Sequence, residues 1–282
     1  MVAQRLSAAL GTPWIAELRD LWANNPYNDT HPLIKPVLDR VANATLRHAH
    51  ACVAVTAAAC EEVRAATQRP VVLSYNGFDQ EEFTGLENVT PLDRTRLTII
   101  HAGVIYAGRR DPTALLQALA LMGEERHQVS LQFYHDSHQS IDTMARQLGV
   151  RDCVEVYNPV PRSEILRRER EADALLLCRW DNPAEDGIIP GKLFEYIGAQ
   201  RPILSVGSTT GEAADIVRRG AFGCVSNDPM EILKKLQFWI AEKQRRGGRL
   251  ADLDIGGAMP YHRDVQFEKV LNLIEDTIEH SS

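Results

Sequence analysis

The sequence predicts an α/β protein in which one complete, doubly wound parallel-sheet domain follows a partial N-terminal domain of the same kind. Three observations predict it. Short β-branched or apolar runs alternate with longer helical patterns, the rhythm of parallel βαβ units. Six such runs with intervening helical patterns fill residues 97–226, whereas only three precede residue 80. A chain of 282 residues, 44% of them hydrophobic, is long enough to bury two such cores.

In order, the first group has strands at 14–18, 52–56 and 71–74, with helices at 32–48 and 57–67. Tyr75-Asn76-Gly77-Phe78-Asp79 is a turn signal and closes a partial domain over residues 1–80. The polar stretch 81–94 reads as a linker. The complete, Rossmann-like domain spans 95–260, with strands at 97–102, 129–134, 154–157, 174–178, 203–206 and 223–226. Helices fit at 112–122, 140–148, 163–172, 190–199, 211–218 and 229–245. Arg245-Arg246-Gly247-Gly248-Arg249 reads as a solvated helix end and turn. The last segment, 261–282, carries Val265, Phe267, Val270, Leu271, Leu273, Ile274 and Ile278, a helical stripe expected to pack back on the N-terminal part.

Composition bounds the function. A net charge of −7 with no polybasic arm argues against nucleic acid as a partner. Five scattered cysteines, Cys52, Cys60, Cys153, Cys178 and Cys224, fit small core residues of a reducing compartment and lack zinc-ligand spacing. No run approaches eighteen uninterrupted apolar residues. The expectation is a cytoplasmic protein, with peripheral membrane contact left open. His135-Asp136-Ser137-His138 is the only metal-like spelling and lacks a clear third ligand, so no metal and no cofactor are expected.

The most informative stretch is Gly187-Ile-Ile-Pro190-Gly191-Lys192-Leu-Phe-Glu195-Tyr196. Pro190 can be the first residue of a helix, where its missing N–H costs nothing, and Gly191 lets backbone approach a ligand closely. The helix N-terminus then offers unpaired N–H groups and a positive dipole end to a phosphate, and Lys192 adds a full charge. Glu195, one turn on, can accept from both hydroxyls of a ribose diol. The same residues also read as an ordinary helix start with Glu195 as the i+3 neighbour of Lys192.

A second candidate follows the first strand of the complete domain, at His101-Ala102-Gly103 and the loop through Arg109-Arg110-Asp111-Pro112. Ligands of doubly wound sheets bind at the C-terminal ends of strands. Gly103 permits close approach, and Arg109 and Arg110 can clamp a diphosphate bidentately. Asp111 as N-cap and Pro112 as first helical residue would set the helix start.

Three segments, Tyr75-Asn-Gly-Phe-Asp-Gln-Glu-Glu-Phe83, Gly103-x-x-Tyr106-x-Gly-Arg-Arg-Asp-Pro112 and Ile189-Pro-Gly-Lys-Leu-Phe-Glu-Tyr196, together resemble the nucleotide-sugar glycosyltransferases of the GT-B fold. The likeness is greatest to family 4, the large group of retaining transferases, and covers roughly residues 13 to 275. It implies a GT-B-like fold and a nucleotide-diphosphate sugar as donor. It also implies an acceptor of unknown class, whether saccharide, lipid-linked or small molecule. Carried over by position, the resemblance assigns the donor diphosphate to Arg110 with Arg109 beside it, and the ribose to Glu195. Tyr157-Asn-Pro-Val160-Pro-Arg162 corresponds to the loop whose backbone faces the nucleobase, which selects Val160.

Two departures from the family pattern stand out. The glutamate that contacts the donor sugar should fall at position 187, where this chain has Gly187; Glu185 and Asp186 are the nearby carboxylates that can substitute, and Asp186 reads equally as a turn residue. Near the N-terminus, Thr12-Pro-Trp-Ile-Ala-Glu-Leu-Arg19-Asp20-Leu-Trp22 resembles the strand that places a polar residue over the transfer centre, so Arg19 and Asp20 are catalytic candidates. The family pattern also places several βα units ahead of Met1. The edge of an incomplete sheet is unfavourable when bare, which predicts a partner chain or self-association covering it. Besides transfer, the residues admit a non-catalytic nucleotide-sugar-binding subunit. A nucleotide-sugar epimerase or a nucleotide hydrolase would concentrate acidic and histidine residues at the cleft, and no clear set is present.

Overall fold

The computed structural model describes residues 2–21, 31, 33–135 and 138–280, which divide into two compact units. The first comprises Met1–Gly77, Gly187–Ile189 and Pro260–Ser282, and the second Phe78–Asp186 and Pro190–Met259.

The first unit begins with α1 (Val2–Leu10), β1 (Ile15–Leu18), α2 (Lys35–Leu46), β2 (Ala51–Ala54), α3 (Ala57–Thr67) and β3 (Val71–Leu73). Its three strands form a parallel sheet in the order β1-β2-β3. Successive side chains of β2 point to opposite faces. Cys52 and Ala54 accordingly join Leu18, Leu46, Cys60 and Val63 in one core cluster, while Ala51 and Val53 are buried in another. Such two-sided burial explains why β2 reads as an unbroken apolar run. Thr56, expected in that strand, caps α3 instead: its hydroxyl accepts from Ala59 N at 3.1 Å. Helix α1 was not among the expected helices; it spaces Val2, Leu6 and Leu10 at i, i+4 and i+8 and buries no residue.

The second unit holds a six-stranded parallel sheet: β4 (Leu97–Ala102), β5 (Val129–Tyr134), β6 (Val154–Tyr157), β7 (Ala174–Cys178), β8 (Ile203–Val206) and β9 (Gly223–Val225). Helices α4 (Thr113–Leu121), α5 (His138–Gln147), α6 (Arg162–Glu171), α7 (Gly191–Gly198) and α8 (Gly211–Arg219) connect the strands. Helices α9 (Pro229–Arg245) and α10 (Ile255–Ala258) complete the unit. The strand order β6-β5-β4-β7-β8-β9 reverses between β4 and β7, the switch point at which doubly wound folds bind ligands. All six residues of β4 are buried, and Leu97 and Ile99 share a core with Leu115, Leu119, Leu236 and Trp239.

Residues 81–94, read from composition as a linker, belong to the body of this unit, and so do 78–80, expected in the partial domain. Phe78 and Phe83 are buried and lie so close to Gly198 of α7 that a Cβ there would approach Phe83 to 2.7 Å. Arg170 donates to Leu86 O at 3.2 Å and to Ala199 O at 3.0 Å, tying the stretch to the end of α7. Nearby, the Lys243 ammonium enters the interior, 2.5 Å from Asp173 Oδ2 and 2.7 Å from Arg96 O.

The last helix, α11 (Arg263–Glu279), returns to the first unit, where Leu273 and Val270 pack against Ala51 and Val53. Only part of the predicted apolar stripe is used. Phe267, Leu271, Ile274 and Ile278 are exposed, as are Val2, Leu6 and Leu10 of α1 and Val37, Leu38 and Val41 of α2. The five cysteines are free thiols, four buried and Cys224 half-buried. Among the described residues no helix is long and apolar enough to cross a membrane.

Candidate functional site

At the end of β4, His101 is buried with Nδ1 2.8 Å from Leu176 O, so Nδ1 carries the hydrogen and donates, leaving Nε2 without a hydrogen-bond partner among the described residues. Burial, reinforced by the positive charge of Lys192 and opposed by the Leu176 hydrogen bond, pushes the imidazole down to about 4. It is therefore neutral at physiological pH. Two residues on, Gly103 has φ +140°, and a Cβ there would lie 2.9 Å from Lys192 Cε. Glycine at this position lets the lysine stem cross the end of β4.

The following loop is pinned by Asp111, which accepts from Gly108 N at 2.6 Å and Thr113 N at 3.0 Å. Helix α4 starts one residue later than expected, with Pro112 rather than Asp111 in the N-cap position. Arg109 lies over the Trp180 ring, 4.9 Å from its centroid. Arg110 reaches Glu185 with Nη2 2.8 Å and Nε 3.1 Å from the same carboxylate oxygen.

Helix α7 likewise begins one residue late. Pro190 is its N-cap at ψ 133°, already extended, and no side chain caps the first turn. Gly191 is exposed, and a Cβ added there would meet nothing within 4 Å. One turn in, Glu195 accepts from Lys192 Nζ at 2.9 Å and from Arg162 Nη1 at 2.7 Å. Arg162 also grips both oxygens of Glu82, at 2.7 and 2.6 Å. Burial raises the tendency of Glu195 to hold a proton, but Lys192 and Arg162 outweigh it and keep the carboxyl below the usual range. The carboxyl stays ionised and only 11% exposed.

The carboxylates offered as stand-ins at position 187 are both engaged in the fold. Glu185 is fully buried against Arg110, an anchor for the guanidinium rather than a group open to a sugar. Asp186 accepts from Thr210 Oγ1 at 2.8 Å and Ser208 Oγ at 3.2 Å and fixes the start of α8, the turn role that its sequence context also allowed. The buried guanidinium of Arg179 holds the same loops, donating to Thr210 O at 2.8 Å and Glu185 O at 3.3 Å. Gly187 falls in the first unit, where a Cβ would meet Ala58 at 3.6 Å, an ordinary contact.

The second unit thus gathers Gly103, Arg109, Arg110, Pro190, Gly191, Lys192 and Glu195 on elements at the C-terminal side of its sheet. Val160 is half-buried and lines a cleft of about 470 Å³ with Tyr134, Tyr157, Asn158 and Arg168. Arg19 and Asp20 follow β1 in the first unit, and Arg19 is exposed with Nε 3.2 Å from Glu17. Trp22, Asp136 and Ser137 lie outside the described residues.

Compared with solved structures, the chain matches HepE of Anabaena in complex with UDP, with a TM-score of 0.73 over 98% of this chain and 75% of that one, at 15% identity. Sucrose-phosphate synthase from Thermosynechococcus elongatus matches with a TM-score of 0.68 over 98% and 70%, at 13% identity. A glycosyltransferase from Rickettsia africae matches with a TM-score of 0.67 over 98% and 79%, at 11% identity. The chain has a GT-B-like fold. No protein-family model matches the sequence, and no curated protein does.

Residues absent from the sequence-based set complete the arrangement. Arg162 is the long-range partner of Glu195 and is itself held by Glu82, and the one local clue is a cation in the first turn of α6, where the helix dipole disfavours it. Trp180 and Glu169 leave no comparable local signal.

Proposed function

We propose that this chain is a retaining glycosyltransferase of the family 4 type that takes its sugar from a UDP-sugar. One observation carries the reading. An uncapped helix N-terminus, the Lys192 ammonium and the Glu195 carboxylate stand beside Gly103, which follows β4, at the switch point of a doubly wound sheet. In this reading the diphosphate lies on the α7 N-terminus with Lys192, and Arg110, oriented by Glu185, shares its charge. The ribose diol replaces Lys192 on Glu195, and the Val160 loop faces the base. Uracil is chosen because HepE, TarM and GtfA were solved with UDP. Catalysis follows from charge. The leaving UDP gains negative charge as the glycosidic bond breaks, so donors aimed at its phosphates act more strongly in the transition state than in the ground state.

The first unit then carries the acceptor side, with Arg19 and Asp20 as its polar candidates. The acceptor is a saccharide, lipid-linked or small molecule, and a partner chain or second copy covers the exposed apolar residues of α1 and α2.

A thermal-shift panel of UDP, ADP, GDP and uridine, followed by donor turnover with UDP-sugars, tests the proposal. UDP should stabilise by about 2.7 kcal/mol at a hundredfold excess over its dissociation constant, and uridine far less. Arg110→Ala should lower turnover much more than acceptor affinity. No shift with any nucleotide, or unchanged turnover in the Arg110 variant, contradicts it. Gly187, together with the burial of Glu185, favours a second reading, donor binding without transfer. That reading predicts the UDP shift with no sugar released to any acceptor.

A further inference from the structure

Helix α6 faces α7 through Arg162, whose Nη1 lies 2.7 Å from Glu195. Glu169 is seven residues, two turns, further along α6 and therefore on the same stripe. It is fully buried, and among the described residues neither of its oxygens receives a hydrogen bond from any N–H or O–H. The two cations nearby are committed to its neighbour: Lys192 bonds Glu195 Oε1 and Arg162 bonds Glu195 Oε2. The charged and titratable groups facing Glu169 are Glu195, Lys192 and Tyr196 from α7 and Arg162 from its own helix. An ionised carboxyl without donors at such a place is strongly disfavoured, whereas a protonated one is itself a donor. Beside it the Glu195 carboxylate is the available acceptor.

We propose that Glu169 is a positioning residue that keeps its proton at neutral pH and donates it in a hydrogen bond to Glu195, fixing that carboxylate for the ribose diol. Burial, with the negative charge of Glu195, holds the Glu169 carboxyl well above the ordinary carboxylate range. The role matters most when the donor is bound. Lys192 then turns to a phosphate, and the proton on Glu169 keeps two adjacent carboxylates from repelling each other. The inference rests on Glu195 as the ribose ligand.

Two measurements test it. In the ligand-free protein the folded state holds a proton on Glu169 that the unfolded chain releases, so this residue makes stability fall as pH rises above the usual carboxylate value near 4.5. Glu169→Gln, which keeps a neutral donor, should therefore have a higher Tm than wild type at pH 8, the gap closing towards pH 5. A lower Tm at pH 8, with a gap that widens as pH rises, overturns the protonated assignment. In calorimetric titrations with UDP, Glu169→Gln should bind within about twofold of wild type, and Glu169→Ala about tenfold more weakly, as for one lost hydrogen bond to a charged group. Wild-type affinity should weaken as rising pH removes the Glu169 proton, while that of Glu169→Gln stays flat. Equal affinity of Glu169→Ala and wild type, with Glu195→Ala impaired, overturns the positioning role alone. Absence of UDP binding by wild type overturns the ribose assignment and this role with it, while the Tm comparison still decides where the proton is.

Discussion

Glu195 is organised before any ligand arrives, because Lys192 holds one oxygen and Arg162 the other. In the proposed site, a ribose diol that displaces Lys192 would meet a carboxylate whose second oxygen is already fixed, so little side-chain freedom would be lost on binding. His101 has a different part, as the neutral floor under Lys192. Folding lowers its proton affinity to about 4 and unfolding restores the ordinary value near 6.5, so it makes stability fall as pH drops through that window. Chemical denaturation of His101→Asn, which keeps a donor for Leu176 O, should give a flatter stability profile from pH 6.5 to 4 than wild type. An unchanged profile would assign the acid limb to other groups. Lys192 and Glu195 were legible because their i+3 spacing is local. Arg162 was not, since its meeting with Glu195 and with Glu82 depends on how α6 docks on α7 and on residues 80–83, which no window of sequence encodes.

Elements were the most legible level. Parallel strands buried on both faces leave apolar runs such as 97–102 and 174–178, whose ends the structure reproduces. Misreadings fell at boundaries, where one hydrogen bond decides the matter. Thr56 leaves its strand to cap α3, and Pro112 and Pro190 each supply a cap rather than a first helical residue. Residues 81–94 look like a linker because they are polar on average, yet Phe83 and the carbonyls that Arg170 binds tie them into the second unit. Helix α9 is held to that sheet by a polar interior contact, Lys243 with Asp173, both side chains at most 2% exposed. Lys243→Ala leaves Asp173 buried and uncompensated and should cost about 3–5 kcal/mol in denaturant unfolding. A loss under about 1 kcal/mol, the surface-pair range, would show that water replaces the ammonium.

At the scale of the whole molecule, the fold class was readable because six strands alternating with helices admit few alternatives, and the sequence also pointed to the three strands that the first sheet has among the described residues. Within the described residues β1 pairs only with β2, and apolar side chains of α1, α2 and α11 stand exposed in the same unit. Exposed stripes of this kind mark interaction surfaces. Sedimentation analysis should therefore find the isolated chain self-associating, and Leu6→Lys with Val37→Lys should shift it towards monomer; a wild-type chain that is monomeric across the concentration range contradicts this. The candidate site was half legible: the residues proposed for phosphate and ribose came from motifs, while the mutual pairing of Arg110 with Glu185 emerged only in three dimensions. The central claim, that the α7 start and Glu195 form a nucleoside-diphosphate site, is tested most directly by calorimetric titration of UDP into wild type, Lys192→Ala and Glu195→Ala. The account predicts saturable one-to-one binding by wild type and at least about tenfold weaker binding by each variant. No binding by wild type, or equal affinity in all three folded proteins, would contradict it.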